Sequence, residues 1–413
     1  MALQYSENRT IVLSIAATDY TRFMEDSHYA HKLIKAHQQQ YPELFPSEMS
    51  TDGYCLNGKT RLSKKMGIQM RKIRISGVSY RIRPSYILPY LRGTVQEAYH
   101  GLFLLRFGVP FWALALVFGR NTMWWYRLYV SLGSYNLVQT SVVKPHLPDD
   151  ILADEHHIRV KGSKAYVATT VGKGCFMGME VSTGADEQSL KDAYGVFKQE
   201  SLELCADYSP KSVNTDGWKA TQNAWQVLFP SIAVIECFLH AFLKVRDRAT
   251  KKLQSYFETA ADKIWDCYRA ESIQSLAQQI RRLKEWTIKK VPDSAMKTNI
   301  IKLCQKKSKW AAHFANPEAF RTSNMLDRLM RAMDRHAYNS QMFHSTIKAT
   351  SLNFRAFALI YNFSPSAPKV CNEHKELNSP MARLNGFVYH NNWLENLLIA
   401  TSGSNIYHHR KAV

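Results

Sequence analysis

Three acids and a Cys/His pair in this 413-residue chain have the types and settings that phosphoryl chemistry uses. Asp216 closes the apolar run 212–215, and Gly217 and a helical pattern (Trp218, Thr221, Trp225, Leu228) follow at once. An acid at the C-terminal end of a strand, just ahead of a helix, stands where open α/β sheets keep their ligands. Asp154 shares one face of an alternating stretch with His156, Ile158 and Val160. A carboxylate there is costly unless it is paired or holds a metal. Asp327 lies one turn into a helical pattern, with Glu318 in the preceding loop as its rival. Carboxylates converging from separate elements suit two-metal phosphoryl transfer, in which two divalent cations about 3.5–4 Å apart serve the attacking and leaving oxygens. The expected cofactor is Mg²⁺, which takes hard oxygen ligands, with Mn²⁺ as substitute. Asp154, Asp216 and Asp327 are its expected ligands. Each acid also has a plainer reading: helix N-cap for Asp216, strand-edge acid for Asp154, solvated helix face for Asp327. Cys237-x-x-His240 follows a second apolar run, 232–235. Two ligands do not make a tetrahedral zinc site, so the plain alternative is a packed Cys and a core-capping His.

These residues need a scaffold, and the pattern supplies one. Alternation predicts strands over 154–160, 165–171 and 175–181, with turns at Gly162-Ser163 and Gly172-Lys173-Gly174, hence an antiparallel meander. Glu155 falls on the opposite face from Asp154. Leu190, Tyr194, Phe197, Ser201 and Leu204 keep helical spacing, and strand 212–215, a helix, strand 232–236 and a further helix follow. The order βββαβαβα is that of the ribonuclease H-like fold, an α/β class in which the fourth strand lies beside the first. Residues 146–240 are the first part of this core, and 321–345 hold the final catalytic helix with Leu326, Leu329, Met330 and Met333 on its apolar face. Between them, 241–320 is helical and basic throughout, too long for a loop, and reads as an all-helical insertion. Residues 346–413 read as a C-terminal tail broken by Pro365, Pro368 and Pro380.

The formal charge of +20 calls for a polyanionic partner, nucleic acid first. Residues 53–96 carry ten Lys or Arg and no acid, among them Arg71, Lys72, Arg74, Arg81 and Arg83, interleaved with Tyr80, Tyr86 and Tyr90. That mixture suits phosphate contacts with stacking. Two helical stretches, 111–118 and 123–132, flank Gly119-Arg120-Asn121 in a helix-turn-helix-like pattern, with Arg120, Asn121 and Arg127 as its exposed contacts. Residues 1–145 therefore read as a mostly helical, basic DNA-binding region. No apolar run reaches the roughly 18–20 residues of a membrane span, and the N-terminus lacks a basic-then-apolar signal pattern. Seven scattered cysteines without a C-x-x-C pair suit a reducing compartment, with Cys175, Cys205, Cys267 and Cys304 as core thiols. The expected location is cytoplasmic, and nucleoid-associated in a prokaryote.

Asp154 on the first strand, Asp216-Gly217-Trp218, Cys237-x-x-His240 and Thr322-Ser323-Asn324-x-x-Asp327-Arg328 together resemble the DDE transposases of insertion sequences, nearest to the Mutator-type group with a helical insertion. The resemblance covers about residues 150 to 340. It implies metal-dependent cleavage and strand transfer at the ends of a mobile element, with Asp154, Asp216 and Asp327 as the triad. It places His240 beside the scissile phosphate or against a carboxylate. The implied partners are double-stranded DNA, at element ends and target, and further copies of the chain assembled on it. The family usually has Glu as third acid, whereas Asp327 is one methylene shorter, as in the variant triad of three Asp. An inactive transposase-derived DNA-binding protein and a ribonuclease H-like nuclease are the alternatives.

Overall fold

Helix outweighs strand in the basic N-terminal region, as expected, but its most basic stretch is built into a sheet. The computed structural model describes residues 4–408 except 323, 340–342 and 344. After β1 (Gln4–Ser6), strands β2 (Thr10–Leu13), β3 (Cys55–Lys59), β4 (Arg71–Ile75) and β5 (Val78–Pro84) form a sheet in the order β2-β5-β4-β3. Ile73, Ile75, Tyr80 and Ile82 are all buried on one face. Lys72, Arg74 and Arg81 alternate with them, so this part of the basic, acid-free run is an amphipathic hairpin. Ser76 and Gly77, at φ 46° and 82°, close it with the left-handed turn that matches strand twist.

The second sheet carries the acids. β6 (Asp150–Val160), β7 (Ser163–Gly172) and β8 (Cys175–Ser182) form the expected antiparallel meander. Its turns are Lys161-Gly162 and Lys173-Gly174, all at positive φ. β6 starts four residues before the expected 154 because Asp150, Ile151 and Leu152 pair in parallel with β9 (Ser212–Thr215). β10 (Ala233–Glu236) runs parallel to β9, giving the order β10-β9-β6-β7-β8. Ile151, Ala153, Ala168 and Val213 share a core with Leu190, Tyr194 and Trp225 of the helices Glu187–Leu204 and Lys219–Leu228. Leu152, Val167 and Phe176 share the other core with Phe354 and Phe357 of the helix Ile347–Phe363. The protein is thus a mixed α/β structure whose acid-bearing sheet is covered on both faces.

Helices Phe238–Arg246, Gln254–Tyr268, Ile273–Lys290, Ala295–Gln305 and Lys307–Ala315 surround a core of their own that includes Ile264, Leu283, Met296 and Ile300. Residues 346–408, expected as a tail, are not one. Its helix Ile347–Phe363 lines the main core, Trp393–Ala400 packs near β2, and β11 (Ile406–His408) pairs with β1. Arg355, fully buried, pairs with the equally buried Glu200 and donates to the carbonyls of Gly133 (3.0 Å) and Tyr135 (2.9 Å). Three distant stretches of chain meet at that one guanidinium.

Candidate metal centre

Asp154 and Asp216 come together because β6 and β9 are hydrogen-bonded neighbours. Asp216 follows the last residue of β9, and its Oδ1 accepts from the backbone N–H of Trp218 at 2.8 Å. The helix N-cap position is Trp218, so Asp216 makes an Asx-type turn and does not cap the helix as its plainer reading expects. The turn depends on Gly217. Its φ is 93°, and a Cβ there would come within 2.5 Å of Glu236 Oε1. Asp154 accepts from the N–H of Glu155 at 2.9 Å and, like Asp216, is half-buried.

A third carboxylate joins them from an unexpected position. Ligand oxygens of Asp154, Glu155 and Asp216 lie within 4.8 Å of one another. Glu155 does sit on the opposite face of β6, where its Oε1 accepts from Tyr194 (2.7 Å) and Thr221 (2.6 Å). Its Oε2 is buried without a hydrogen-bond partner. Alternation along a strand tells which face a residue takes, not where a longer side chain ends, so sequence reasoning passes over it.

Asp327 arrives from the helix Asn324–Asn339. Two backbone-directed bonds anchor the approach to it: Asn214 of β9 donates to Phe320 O (2.8 Å), and Phe238 N–H donates to Arg321 O (3.1 Å). Farther along the same helix, Asp334 pairs with His156 of β6 at 3.2 Å. Leu326, Leu329, Met330 and Met333 are all buried, as their spacing predicts. Ser323 of the Thr-Ser-Asn triplet lies outside the described residues. The rival Glu318 is exposed.

Asp327 is not in the group of converging carboxylates, but its charge, like those of Asp216 and His240, acts on Asp154. Burial, with the neighbouring Asp216 and Asp327 charges, pushes the Asp154 carboxyl up to about 6, against the pull of the Glu155 N–H bond and His240. Burial likewise pushes Glu155 to about 7, against its bonds to Thr221 and Tyr194. The His240 imidazole is raised to about 9 by its hydrogen bond to Cys237, against burial, with the Asp154 and Asp327 carboxylates adding to the rise. Cys237 is fully buried and its N–H donates to Thr215 O at 2.7 Å, which fixes it at the end of β9. Cys175, Cys267 and Cys304 are buried thiols, whereas Cys205 is partly exposed.

A divalent cation fits this set. All the clustered ligand atoms are carboxylate oxygens, the donors that Mg²⁺ and Mn²⁺ prefer. Crowded, half-desolvated carboxylates resist ionising together, and a nearby positive ion reverses that penalty. The oxygen of Glu155 that lacks a protein partner is consistent with such a site.

A second acid beside the cluster also escapes the sequence reading. Glu236, 2% exposed, ends β10 under Gly217, and it pairs with Lys306 and, at 3.8 Å, with Lys309 of the helical insertion. Its one sequence signal is an acid closing an apolar run.

The expected DNA contacts divide. Lys72, Arg74 and Arg81 share the solvent-facing side of the hairpin. Arg127 is exposed, and Arg120 is held by Glu97. Arg71 and Arg83 are corrections, because both are buried. Arg71 donates to Phe23 O (2.9 Å) and Met24 O (2.7 Å) near the end of the helix Tyr20–Glu25. Arg83 donates to Ile87 O. The two helices of the helix-turn-helix-like pattern exist as Phe111–Phe118 and Thr122–Leu132, and the second buries Trp125, Leu128, Tyr129 and Leu132. Among the described residues no helix is long and apolar enough to cross a membrane. No protein-family model matches the chain, and neither does any curated protein.

Proposed function

We propose that the chain is a DNA transposase of the DDE/DDD type that cleaves the ends of a mobile element and joins them to target DNA. The observation that carries this reading is the convergence of Asp154 and Asp216, from a strand and a neighbouring strand end, with the charges of Asp327 from a distant helix and of His240 acting on Asp154. The sheet order, an antiparallel meander with the fourth strand beside the first, supports a ribonuclease H-like core. So does the entry of the helical segment between β10 and the last acid-bearing helix.

Asp154, Asp216 and Asp327 would hold Mg²⁺, with Glu155 adjoining. Bound divalent cations supply the charge that offsets the negative charge developing on a phosphodiester under attack. The chain's own residues do the positioning. Gly217 lets the Asp216 turn close over Glu236, and the Asn214–Phe320 bond sets the approach to the Asp327 helix. His240, protonated at neutral pH, gives the site a fixed hydrogen-bond donor of positive charge. Water attacks at the element end, and the freed 3′-OH then attacks the target. Half-buried Lys72 and exposed Arg74, Arg81 and Arg127 contact DNA phosphates, and further copies of the chain bring two ends together. Asp216→Ala should abolish Mg²⁺-dependent cleavage of DNA carrying the element's ends while leaving its binding in a gel-shift assay intact. Retained cleavage overturns the assignment.

A further inference from the structure

On the N-terminal sheet, well away in sequence from the acids, a cavity of about 310 Å³ opens beside β2 and β5. Arg83 lines it, 2% exposed. Among the described residues its guanidinium has a carbonyl partner, Ile87 O, and no carboxylate partner. A buried cation without a counter-charge is expensive. Three more cations, Arg9, Lys65 and Arg81, line the same cavity. The acid among them, Glu7, is already engaged, accepting from Arg9 (3.0 Å) and Tyr80 (3.2 Å). The rest of the wall mixes polar side chains, Asn8, Thr10, Ser63 and Thr401, with apolar and aromatic ones that include Met66 and Tyr90. Tyr90 holds φ at 63°, a conformation unfavourable for a bulky side chain that recurs at ligand sites.

We propose that this cavity binds a nucleotide unit, its phosphate at Arg83 and the neighbouring cations and its base against Met66 and Tyr90. The volume is at the lower end of the range for small-molecule sites, about 300–1,000 Å³, and far exceeds what a bare phosphate fills. Guanidinium groups match phosphate geometry by forked hydrogen bonds, and aromatic faces accept any base. The inference needs no metal and no cleavage.

Isothermal titration of the full chain with 5′-dAMP tests it, alongside inorganic phosphate and deoxyadenosine as separate probes. Binding of 5′-dAMP is expected, with each fragment at least about tenfold weaker. The double variant Lys65→Glu/Arg81→Glu, at two exposed side chains, should weaken 5′-dAMP by at least about tenfold while circular dichroism stays native. Lys375→Glu, exposed and outside the cavity, should not weaken it. Asp216→Ala should bind 5′-dAMP as the wild type does, so this assignment and the transposase reading can fail separately. Competition by a 5′-phosphorylated single-stranded dodecamer identifies the nucleotide as part of a DNA strand, and lack of competition identifies it as free. Either outcome keeps the assignment. No 5′-dAMP binding, affinity no better than that of phosphate, or indifference to the double variant overturns it.

Discussion

Asp154 and Glu155 keep protons that ordinary carboxyls would have lost. Their ordinary values are 3.8 and 4.5, and the fold raises them to about 6 and about 7. Between these limits the folded chain binds more protons than the unfolded one, so the cation-free protein loses stability as pH rises. The contribution is complete below pH 4 and is lost through pH 6 to 7. Replacing Asp154 by Asn should remove its share, of order 2–3 kcal/mol at pH 8 and near zero at pH 4. Urea unfolding of both proteins in EDTA across pH 4–8 measures the difference, and parallel curves at every pH contradict the assignment. Added Mg²⁺ should stabilise the wild type more at pH 8 than at pH 5, where protons compete for the same oxygens. Asp154 and Asp216 are legible in the sequence because each is an acid set in an apolar pattern. Glu155 is not, since it reaches the cluster from the other face of the strand, and neither is the burial of Arg71 and Arg83. A charge pattern does not say whether an arginine meets water or a helix-end carbonyl.

At the scale of elements, the helical insertion is fastened to the sheet at the strand end nearest the acids. Lys306 and Lys309 come from the insertion, and Glu236 of β10 receives them directly beneath Gly217. Removing both cations leaves a carboxylate buried without a counter-charge. Lys306→Ala/Lys309→Ala should therefore lower stability by about 2–3 kcal/mol, somewhat less than the roughly 3–5 kcal/mol for a broken fully buried pair because the lysines are partly exposed. In a Glu236→Gln background the same double substitution should cost less than about 1 kcal/mol. Equal losses in the two backgrounds, by chemical denaturation, would exclude the pairing as their source. The meander and the two parallel strands can be read from alternation and from Gly-containing turns, whose physics is local. The N-terminal sheet cannot, because arginines and lysines occupy the outer positions of β4 and β5 and mask the pattern. The segment 346–408 misleads for a related reason: Pro365, Pro368 and Pro380 break it into pieces, yet Arg355 and the apolar face around Phe354 and Phe357 hold it in the main core.

Over the whole molecule, a charge of +20 can steer DNA only through side chains that reach solvent. The structure separates two populations that the sequence presents as one. Arg71 and Arg83 are tied to carbonyls inside the N-terminal region, whereas Lys72, Arg74 and Arg81 stand together on the outer face of the hairpin. The pairing of Lys72 with Arg81 across the strands places like charges side by side. That arrangement is mildly unfavourable in the free protein and favourable against a phosphate backbone. For every phosphate that a side chain ceases to neutralise, the slope of log K against log salt falls in magnitude by about 0.9. The triple variant Lys72→Ala/Arg74→Ala/Arg81→Ala should thus flatten that slope by roughly 2–3 and leave thermal stability almost unchanged. Arg71→Ala should do the reverse, lowering stability and sparing the slope, since its hydrogen bonds end on Phe23 and Met24. Fluorescence anisotropy with a duplex across a series of salt concentrations reads the first effect and thermal melting the second. If the triple variant keeps the wild-type slope, DNA lies on another face of the molecule.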